Sequence, residues 1–534
     1  MNHPTLKYTR SESIAVLRAE AAREKIYKNE KHGFDNEKYL QAQKAKIEER
    51  LRQSDNKLYI EFGGKLLFDF HASRILPGYD PNVKIQLLQQ LSSDLDIILC
   101  VNAIDIENNK LRADFGITYH EDVLKIIDDL ANRNLKITAV VITRYENQPA
   151  ASSFKKRLEN SKIKVYTHPT IPGYPNDIDK IVSDEGYGAC EYIETTKKIV
   201  VITAPGPGSG KLATCLSQLY HEYKRGIKAI YSKFETFPVW DLPLKHPINV
   251  AYEAATLDLN DSNMIDTFHQ KAYGISAVNY NRDIEAFPLL QRIMERITKS
   301  ECPYKSPTDM GCNCISQGII DDAICQEASK QETIRRYLRA KVDFAMGIIS
   351  QDVIDHSIDL MNELNVNMEY RKVVPEAKKA IENARGDLSR GNYGILCGAA
   401  IQLPNGEIVT GTNSPNFHSA TCVIIKACKK LAEIPEFIDL LSPIIIKSIG
   451  EMKGMVYQTD EPSLDVREML IAFAAQSPMN PTISKVFEFF PQFYGCEMHL
   501  THIPSPGDQN GLRKLGIRFT YDPIPSSRNL LNTQ

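Results

Sequence analysis

Short apolar runs alternate with amphipathic segments through the first half of the chain. Within 120–134, apolar side chains recur at the three-to-four-residue spacing that places them on one helical face. The run DIILCVNA (96–103) is instead continuously apolar and too short for a typical helix, as expected of a buried strand. The pattern predicts strands near 96–103, 136–143 and 163–168 and helices near 120–134 and 152–162. Because such alternation is typical of parallel sheets covered by helices, it indicates an α/β fold with a Rossmann-like parallel sheet.

Changes in this pattern divide the chain into four parts. Residues 1–50 are rich in Glu, Lys, Arg and Ala and are predicted to form a helical leader. Residues 51–317 are predicted to form the Rossmann-like α/β domain. The pattern over 318–390 is almost wholly helical, and we expect a helical connector there. Residues 391–534 again mix strand and helix patterns, which predicts a smaller α/β C-terminal domain.

The most informative stretch is a glycine-rich loop between a predicted strand and a predicted helix. The apolar run IVVIT (199–203) precedes the loop APGPGSGK (204–211), and a helical apolar pattern follows. Backbone N–H groups at a helix start are unpaired and carry partial positive charge, so they bind anions. Glycines let the backbone approach a phosphate and adopt positive φ. We therefore expect a phosphate-binding loop made by Gly206, Gly208, Ser209, Gly210 and Lys211.

The loop departs from the Walker pattern GxxxxGK[ST] of nucleotide-binding proteins. Pro205 occupies the first glycine position, and Leu212 occupies the position of the metal-binding hydroxyl. Ser209 or Thr214 would have to substitute for that hydroxyl from a different spacing. The metal ligand is therefore unassigned and Mg²⁺ stays an open question. A tight strand-to-helix turn without a ligand is the alternative interpretation.

Polar residues are concentrated in the irregular segment after the loop. Loops at the carboxyl ends of parallel strands are where α/β proteins place their sites. A carboxylate or an imidazole would serve as a base, and a guanidinium can bind a second phosphate through two hydrogen bonds. The candidate catalytic residues are Glu235, His246, Glu253 and Arg282. Capped turns with solvated charges are the alternative interpretation.

A second polar group precedes the loop in the sequence. Asp69, His71 and Arg74 follow a Gly63-Gly64 turn and are candidates for an anion-binding or acid–base cluster. The alternative is a capped helix with a surface histidine.

Several long motifs resemble one family of proteins. They are FGGKLLFDFHASRILPGYDP (62–81), VITAPGPGSGKLATC (201–215), KFETFPVWDLPLKHPINVAYEAAT (233–256), NYNRDIEAFP (279–288) and SPTDMGCN (306–313). In this order they are similar to a mostly bacterial family labelled domain of unknown function 1846, or uncharacterised protein family 0371. The resemblance runs from about residue 35 to the C-terminus. It implies a Rossmann-like N-terminal part, a helical middle and an α/β C-terminal part, and it implies no particular activity.

The segment 397–431 resembles the opening of the cytidine-deaminase-like fold, in which two strands lead into a helix with zinc ligands. Cys422 would stand at the first ligand position, but Ile424 replaces the catalytic glutamate and no later CxxC pair exists. Zinc and deamination are therefore not expected. His418 and Asn413 are candidates for lining a pocket in this domain, and a purely structural or interface domain is the alternative.

Composition narrows the functional classes. The 64 basic and 67 acidic residues give a net charge of −3, which provides no electrostatic argument for binding nucleic acid or a membrane. The 11 cysteines include no CxxC pair, so we expect reduced thiols and a cytoplasmic location. Arginines and serines before residue 25 are typical of a transit peptide, but Glu12, Glu20 and Glu24 favour a solvated helical leader.

The leading hypothesis is an enzyme that acts on a small phosphorylated ligand, such as ATP, another nucleotide or a phosphometabolite, by phosphoryl or nucleotidyl transfer or hydrolysis. Lys211 and the amides of Gly208 and Gly210 would hold the phosphates. Arg282 or His246 would face the reacting end, and Glu235 or Glu253 would be the base. A homo-oligomer is also expected. The second hypothesis is a non-catalytic phosphate-ligand binding protein. An ATP-dependent peptidase, a label sometimes attached to the family that the chain resembles, comes third, because no Ser-His-Asp or HExxH signature supports it.

Overall fold

A seven-stranded parallel sheet organises the first of two compact units, which divide between Ser329 and Lys330. The computed structural model describes residues 32–55, 57–112, 117–259, 261–457 and 462–527. The strands of the first unit are β1 (Leu58–Phe62), β2 (Leu95–Asn102), β3 (Leu111–Arg112), β4 (Ile117–Thr118), β5 (Ala139–Thr143), β6 (Val165–His168), β7 (Ile199–Thr203), β8 (Ile230–Phe234), β9 (Asn263–Ile265), β10 (Val278–Tyr280) and β11 (Gly311–Cys312).

The helices of this unit fill the connections between strands. They are α1 (Asn36–Arg52), α2 (Phe70–Ile75), α3 (Val83–Gln90), α4 (Ala103–Glu107), α5 (Tyr119–Ala131), α6 (Pro149–Asn160), α7 (Ile178–Ile181), α8 (Lys211–Lys224), α9 (Pro247–Glu253), α10 (Thr267–Tyr273), α11 (Asn281–Thr298) and α12 (Pro307–Met310). The helix α13 (Asp322–Ala345) begins in this unit.

The seven strands lie in the order β11-β8-β1-β7-β2-β5-β6, and every neighbouring pair is parallel. This confirms the predicted parallel sheet. Every residue of the four central strands β1, β7, β2 and β5 is buried. Such continuously buried strands suit a sheet that is covered on both faces, because neither face can leave alternate residues in water.

The strand order creates a switch point at β7. The chain proceeds outward from β2 to β5 and β6, then returns to place β7 between β1 and β2. From β7 it crosses to β8, on the far side of β1. The connections that leave β2 and β7 therefore run in opposite directions. Ligands of open α/β sheets bind at such points, outside the carboxyl ends of the strands.

The predicted leader lies partly outside the described residues, which begin at 32. From Asn36 the chain forms α1, whose first N–H groups are capped by the Asp35 side chain. Gln43 of this helix donates to the backbone carbonyl of Cys312 at 3.0 Å, in the edge strand β11. The last part of the predicted leader is therefore packed onto the parallel-sheet unit.

The second unit contains a four-stranded sheet of β12 (Gly398–Gln402), β13 (Ile408–Thr412), β14 (Glu497–Leu500) and β15 (Arg518–Tyr521). The order is β13-β12-β14-β15; β12 is antiparallel to both neighbours, and β14 is parallel to β15. This confirms a smaller C-terminal α/β part. The antiparallel pair leads into a helix, but the more specific cytidine-deaminase-like fold stays a prediction.

Helices α14 (Gln351–Glu363) and α15 (Val373–Ala384) follow α13, so the middle of the chain is helical as predicted. The remaining helices are α16 (Ser419–Leu431), α17 (Pro443–Tyr457), α18 (Val466–Gln476), α19 (Pro481–Phe487) and α20 (Pro506–Lys514). In the described ranges, no helix has both the length and the apolar character that crossing a bilayer requires.

Glu497, at the start of β14, is the centre of a charge cluster in the second unit. The fully buried Arg371 donates to its carboxylate at 2.8 Å, and Arg335 donates to it at 3.2 Å. Burial alone would raise the pKa of Glu497. The guanidinium groups of Arg335, Arg371 and Arg518 outweigh burial and lower that pKa to about 2.

We predict that Glu497→Gln lowers the free energy of unfolding by about 3–5 kcal/mol, because it removes the carboxylate that pairs with the fully buried Arg371. Chemical denaturation near neutral pH measures this loss. The loss should shrink as the pH falls below the ordinary carboxyl value of 4.5 towards about 2, because the unfolded chain then takes up a proton at Glu497 that the folded state does not bind. The control is Glu376→Gln, whose exposed pair with Lys379 contributes less than about 1 kcal/mol. Similar small effects of both changes would contradict the role given to Glu497.

Candidate functional site

A cleft of about 740 Å³ lies at the carboxyl edge of the parallel sheet. The ends of β5 and β6, the loop after β7 and the start of α8 all contribute to its lining. Polar and charged lining residues include Glu61, Arg144, His168, Lys211, Lys233 and Asp283. The volume lies within the range of small-molecule sites, and the position is the switch point of the sheet.

The predicted glycine loop forms one wall of this cleft. Gly208, Ser209, Gly210 and Lys211 line it, whereas Gly206 is not among its lining residues. Gly210 is the N-terminal cap residue of α8, and no side chain in the described ranges caps that helix. Among the described residues, none accepts a hydrogen bond from the backbone N–H groups of Gly208, Ser209 or Gly210. Unpaired N–H groups at the start of a 14-residue helix can bind an anion.

The loop is held from behind by the ends of two strands. The Thr143 hydroxyl donates to the carbonyl of Ser209 at 2.9 Å, and the Asn102 amide donates to the carbonyl of Gly208 at 3.2 Å. The Ser209 hydroxyl donates to the carbonyl of Gly206 at 2.9 Å, within the loop. These donors hold the loop through its carbonyl groups and leave its N–H groups available.

Two of the glycines are required by close contacts. A Cβ at Gly206 would lie 2.3 Å from the Tyr119 hydroxyl. A Cβ at Gly210 would lie 2.8 Å from Thr143, and Gly210 also has a φ of 85°. Gly206 therefore supports the loop by packing, whereas Gly210 sets the turn that begins α8.

Lys211 points towards a carboxylate that the sequence interpretation missed. Its ammonium nitrogen lies 3.9 Å from Glu61 Oε1, and both residues line the cleft. The Tyr231 hydroxyl donates to the other oxygen of Glu61 at 3.0 Å. Glu61 lies in β1, which pairs directly with β7, so the acid beside the loop comes from far upstream in the sequence.

Lys233 is held between two carboxylates. Its ammonium lies 2.6 Å from Glu235 Oε1 and also contacts Asp283. Burial alone would lower the pKa of Lys233, but the nearby carboxylates of Asp283, Glu235 and Glu61 outweigh burial and raise it. Burial raises the pKa of Glu235 to about 7; Lys233 opposes that rise, and Asp283 and Glu61 add to it. The cluster therefore contains a carboxyl that titrates near neutral pH.

The other candidate catalytic residues differ in position. Arg282 lines the cleft and donates to Asp261 at 2.8 Å. His246 is the N-terminal cap residue of α9, and its Nδ1 accepts the Ile248 N–H. Its Nε2 lies 3.2 Å from an Asp322 oxygen. Glu253 accepts the Asn263 N–H at 3.0 Å. Glu235, His246 and Glu253 are not among the described residues that line the cleft. Glu235 still reaches it through its contact with Lys233.

The Asp69, His71 and Arg74 group contains both a cap and a buried histidine. The Asp69 side chain caps α2 by accepting the N–H of Ala72, as expected of a capped helix. His71 is 8% exposed and packs beside aromatic rings, so it is not a surface histidine. Lys84 donates to Asp69 at 2.9 Å, and this pair was not apparent from the sequence.

The candidate residues of the second unit are engaged in local structure. His418 lies 2.6 Å from Asp508 through Nδ1. The Asn413 side chain accepts from the Cys397 N–H and donates to the Ile395 carbonyl. Cys422 is buried, and burial raises the pKa of its thiol. Within the described ranges, no group of three or more His, Cys, Asp or Glu side chains is placed to hold a metal ion.

Comparisons with known proteins identify the family. The family model described as domain of unknown function DUF1846, N-terminal, matches residues 32–365, and its C-terminal counterpart matches residues 369–531. A UPF0371 protein of Clostridium tetani (strain Massachusetts / E88) is 51% identical over 501 residues, which cover 94% of this chain and 99% of the relative. A UPF0371 protein of Clostridium botulinum (strain Kyoto / Type A2) is 51% identical over 499 residues, which cover 93% of this chain and 99% of the relative. The chain therefore belongs to the DUF1846 family, whose members are also called UPF0371 proteins.

Proposed function

We propose that the cleft binds a small phosphorylated ligand, a nucleotide or a phosphometabolite, and that the protein acts on it by phosphoryl or nucleotidyl transfer or hydrolysis. One observation carries this proposal. The unpaired N–H groups of Gly208, Ser209 and Gly210 stand at the start of a helix that borders a cleft of about 740 Å³. A phosphate there would receive several hydrogen bonds and the favourable end of the helix dipole.

Lys211 adds a positive charge to this wall. At 3.9 Å its contact with Glu61 is longer than a hydrogen bond, so the pair is held by charge attraction alone. A phosphate bound to the loop would attract the same ammonium group. Lys211 can therefore turn from Glu61 to the ligand without losing a hydrogen bond.

The Lys233, Glu235 and Asp283 cluster would supply the chemistry. Phosphoryl transfer depends mostly on positioning and on stabilising negative charge, which Lys233 and Arg282 would provide from the cleft wall. Glu235 has a pKa of about 7, which suits a general base at neutral pH. We assign no role in the reaction to His246 or Glu253, because their side chains are engaged away from the cleft.

A non-catalytic binding protein is the second candidate. Leu212 supplies no hydroxyl at the first turn of α8, where Walker proteins hold a metal. A protein that retains its ligand without reaction needs no such group. Measurable turnover of the bound ligand would separate the two candidates.

We predict that phosphate compounds raise the thermal midpoint and that Lys211→Ala abolishes the shift. A ligand present at about 100 times its Kd raises the free energy of unfolding by about 2.7 kcal/mol, and the resulting rise in the thermal midpoint is readily measured. The panel contains nucleotides and sugar phosphates, each with and without Mg²⁺. Lys224→Ala is the matched control, because Lys224 lies on the same helix with an exposed partner, Asp184. The absence of a shift for every compound would argue against the proposed ligand class.

We predict that Gly210→Ala removes ligand binding and destabilises the protein. The new Cβ would lie 2.8 Å from Thr143 on a backbone with a φ of 85°. Gly226→Ala is the control at the other end of α8: its φ is 78°, and no atom of the described residues lies within 4 Å of its Cβ position. Gly226→Ala should lower the free energy of unfolding by about 1–2 kcal/mol, because it places alanine on a left-handed backbone, and it should leave ligand binding intact. Equal costs in chemical denaturation, or retained binding in Gly210→Ala, would contradict the tight fit of the loop.

We predict that the native protein loses stability relative to Glu235→Gln as the pH rises from about 4.5 to about 7. A raised carboxyl pKa means that the folded state holds its proton after the unfolded chain has released it. The free energy of unfolding must then fall across this interval. Chemical denaturation of both proteins at a series of pH values measures the difference. Glu253→Gln is the control, and a similar pH trend in that variant would refute the assignment to Glu235.

A further inference from the structure

Arg144 differs from the other cations of the cleft. Among the described residues that line the cleft, four side chains are ordinarily cationic at neutral pH: Arg144, Lys211, Lys233 and Arg282. His168 also lines it, but burial lowers its pKa to about 4, so it is neutral there.

Three of these four cations have carboxylate partners. Lys211 faces Glu61, Lys233 contacts Glu235 and Asp283, and Arg282 contacts Asp261. The guanidinium of Arg144 has neither a hydrogen-bond acceptor nor a carboxylate partner in the described part of the chain. Its donors are therefore available to an anion in the cleft.

The backbone fixes Arg144 beside the glycine loop. Its neighbour Thr143 ends β5 and donates to the carbonyl of Ser209, and the Cβ position of Gly210 falls against the same threonine. Consecutive Cα atoms are about 3.8 Å apart, so Arg144 begins one residue from the loop contact. A guanidinium on that backbone can reach a group next to the one held by the loop N–H groups.

Arg144 also has a left-handed backbone, with a φ of 51°. A long side chain is disfavoured in this conformation, which glycine and asparagine adopt more easily. A strained residue at the edge of a cleft is a candidate for a ligand contact. Arg144 comes directly after the last residue of β5.

We propose that Arg144 binds a second phosphate adjacent to the one held by the loop, so that the ligand carries two linked phosphates. This rests on the proposed function, because the loop must first bind one phosphate. The planar guanidinium would donate two parallel hydrogen bonds to the second phosphate. The cleft would accordingly prefer a diphosphate-bearing ligand over a phosphate monoester.

The test is calorimetric titration of the full-length protein with inorganic phosphate and with inorganic pyrophosphate. The native protein should bind pyrophosphate more tightly than phosphate. Arg144→Asn should weaken pyrophosphate binding by on the order of 10-fold or more, the usual effect of losing hydrogen bonds to a charged group, and should change phosphate binding little. Arg144→Lys should give an intermediate affinity, because it retains the charge but not the paired donors.

Two controls separate binding from folding. The thermal midpoint of Arg144→Asn should equal or exceed that of the native protein, since asparagine tolerates a left-handed backbone. Arg157→Gln removes an exposed arginine of α6 outside the cleft and should leave both affinities unchanged.

The outcomes distinguish this inference from the proposal on which it rests. A native protein that binds neither probe overturns both. Unchanged pyrophosphate affinity in Arg144→Asn overturns the role of Arg144 alone and leaves the phosphate loop standing. Equal losses for phosphate and pyrophosphate would place Arg144 at the first phosphate and overturn the preference for two.

Discussion

The position of β7 between β1 and β2 is the constraint on which the cleft depends. All five residues of β7 are buried, and the strand pairs in parallel with both neighbours. A strand in this place cannot shift without exposing apolar surface on both faces of the sheet. The loop that follows is therefore fixed at the carboxyl edge, where the ends of β1, β2 and β5 surround it. Glu61, Asn102 and Thr143 reach the loop for this reason.

The charged groups of the cleft follow from the same arrangement. Carboxylates and ammonium groups at the ends of buried strands are partly removed from water, and such charges persist only when they are paired. Lys233 is accordingly enclosed by Glu235 and Asp283, and the pKa of Glu235 rises because burial outweighs the attraction of Lys233. The cleft is thus a set of ion pairs around a loop that offers unpaired N–H groups. An anion that entered the cleft would meet the hydrogen-bond donors of the loop on one wall and charges that are already paired on the other.

Local features of the site could be predicted from the sequence. The strand, the glycine loop and the start of α8 are consecutive, so their order alone determines their geometry. Glu61, Thr143 and Arg144 could not be placed beside the loop, because sheet order brings them there from distant parts of the chain. The available signal was weak: each lies at or near the carboxyl end of an apolar strand. His246 and Glu253 show the opposite case, because residues close to the loop in sequence have side chains engaged elsewhere.

The cations of the cleft differ in how strongly they are paired, and this difference gives them different roles when an anion binds. Lys233 lies 2.6 Å from one carboxylate and contacts a second, so releasing it would remove the cation that two partly buried acids share. Lys211 lies 3.9 Å from Glu61, which retains the Tyr231 hydroxyl as a donor if the lysine moves. Separating Lys211 from Glu61 therefore costs less free energy than separating Lys233 from its two carboxylates. Binding an anion should accordingly draw on Lys211 and on Arg144, while Lys233 continues to hold Glu235 and Asp283.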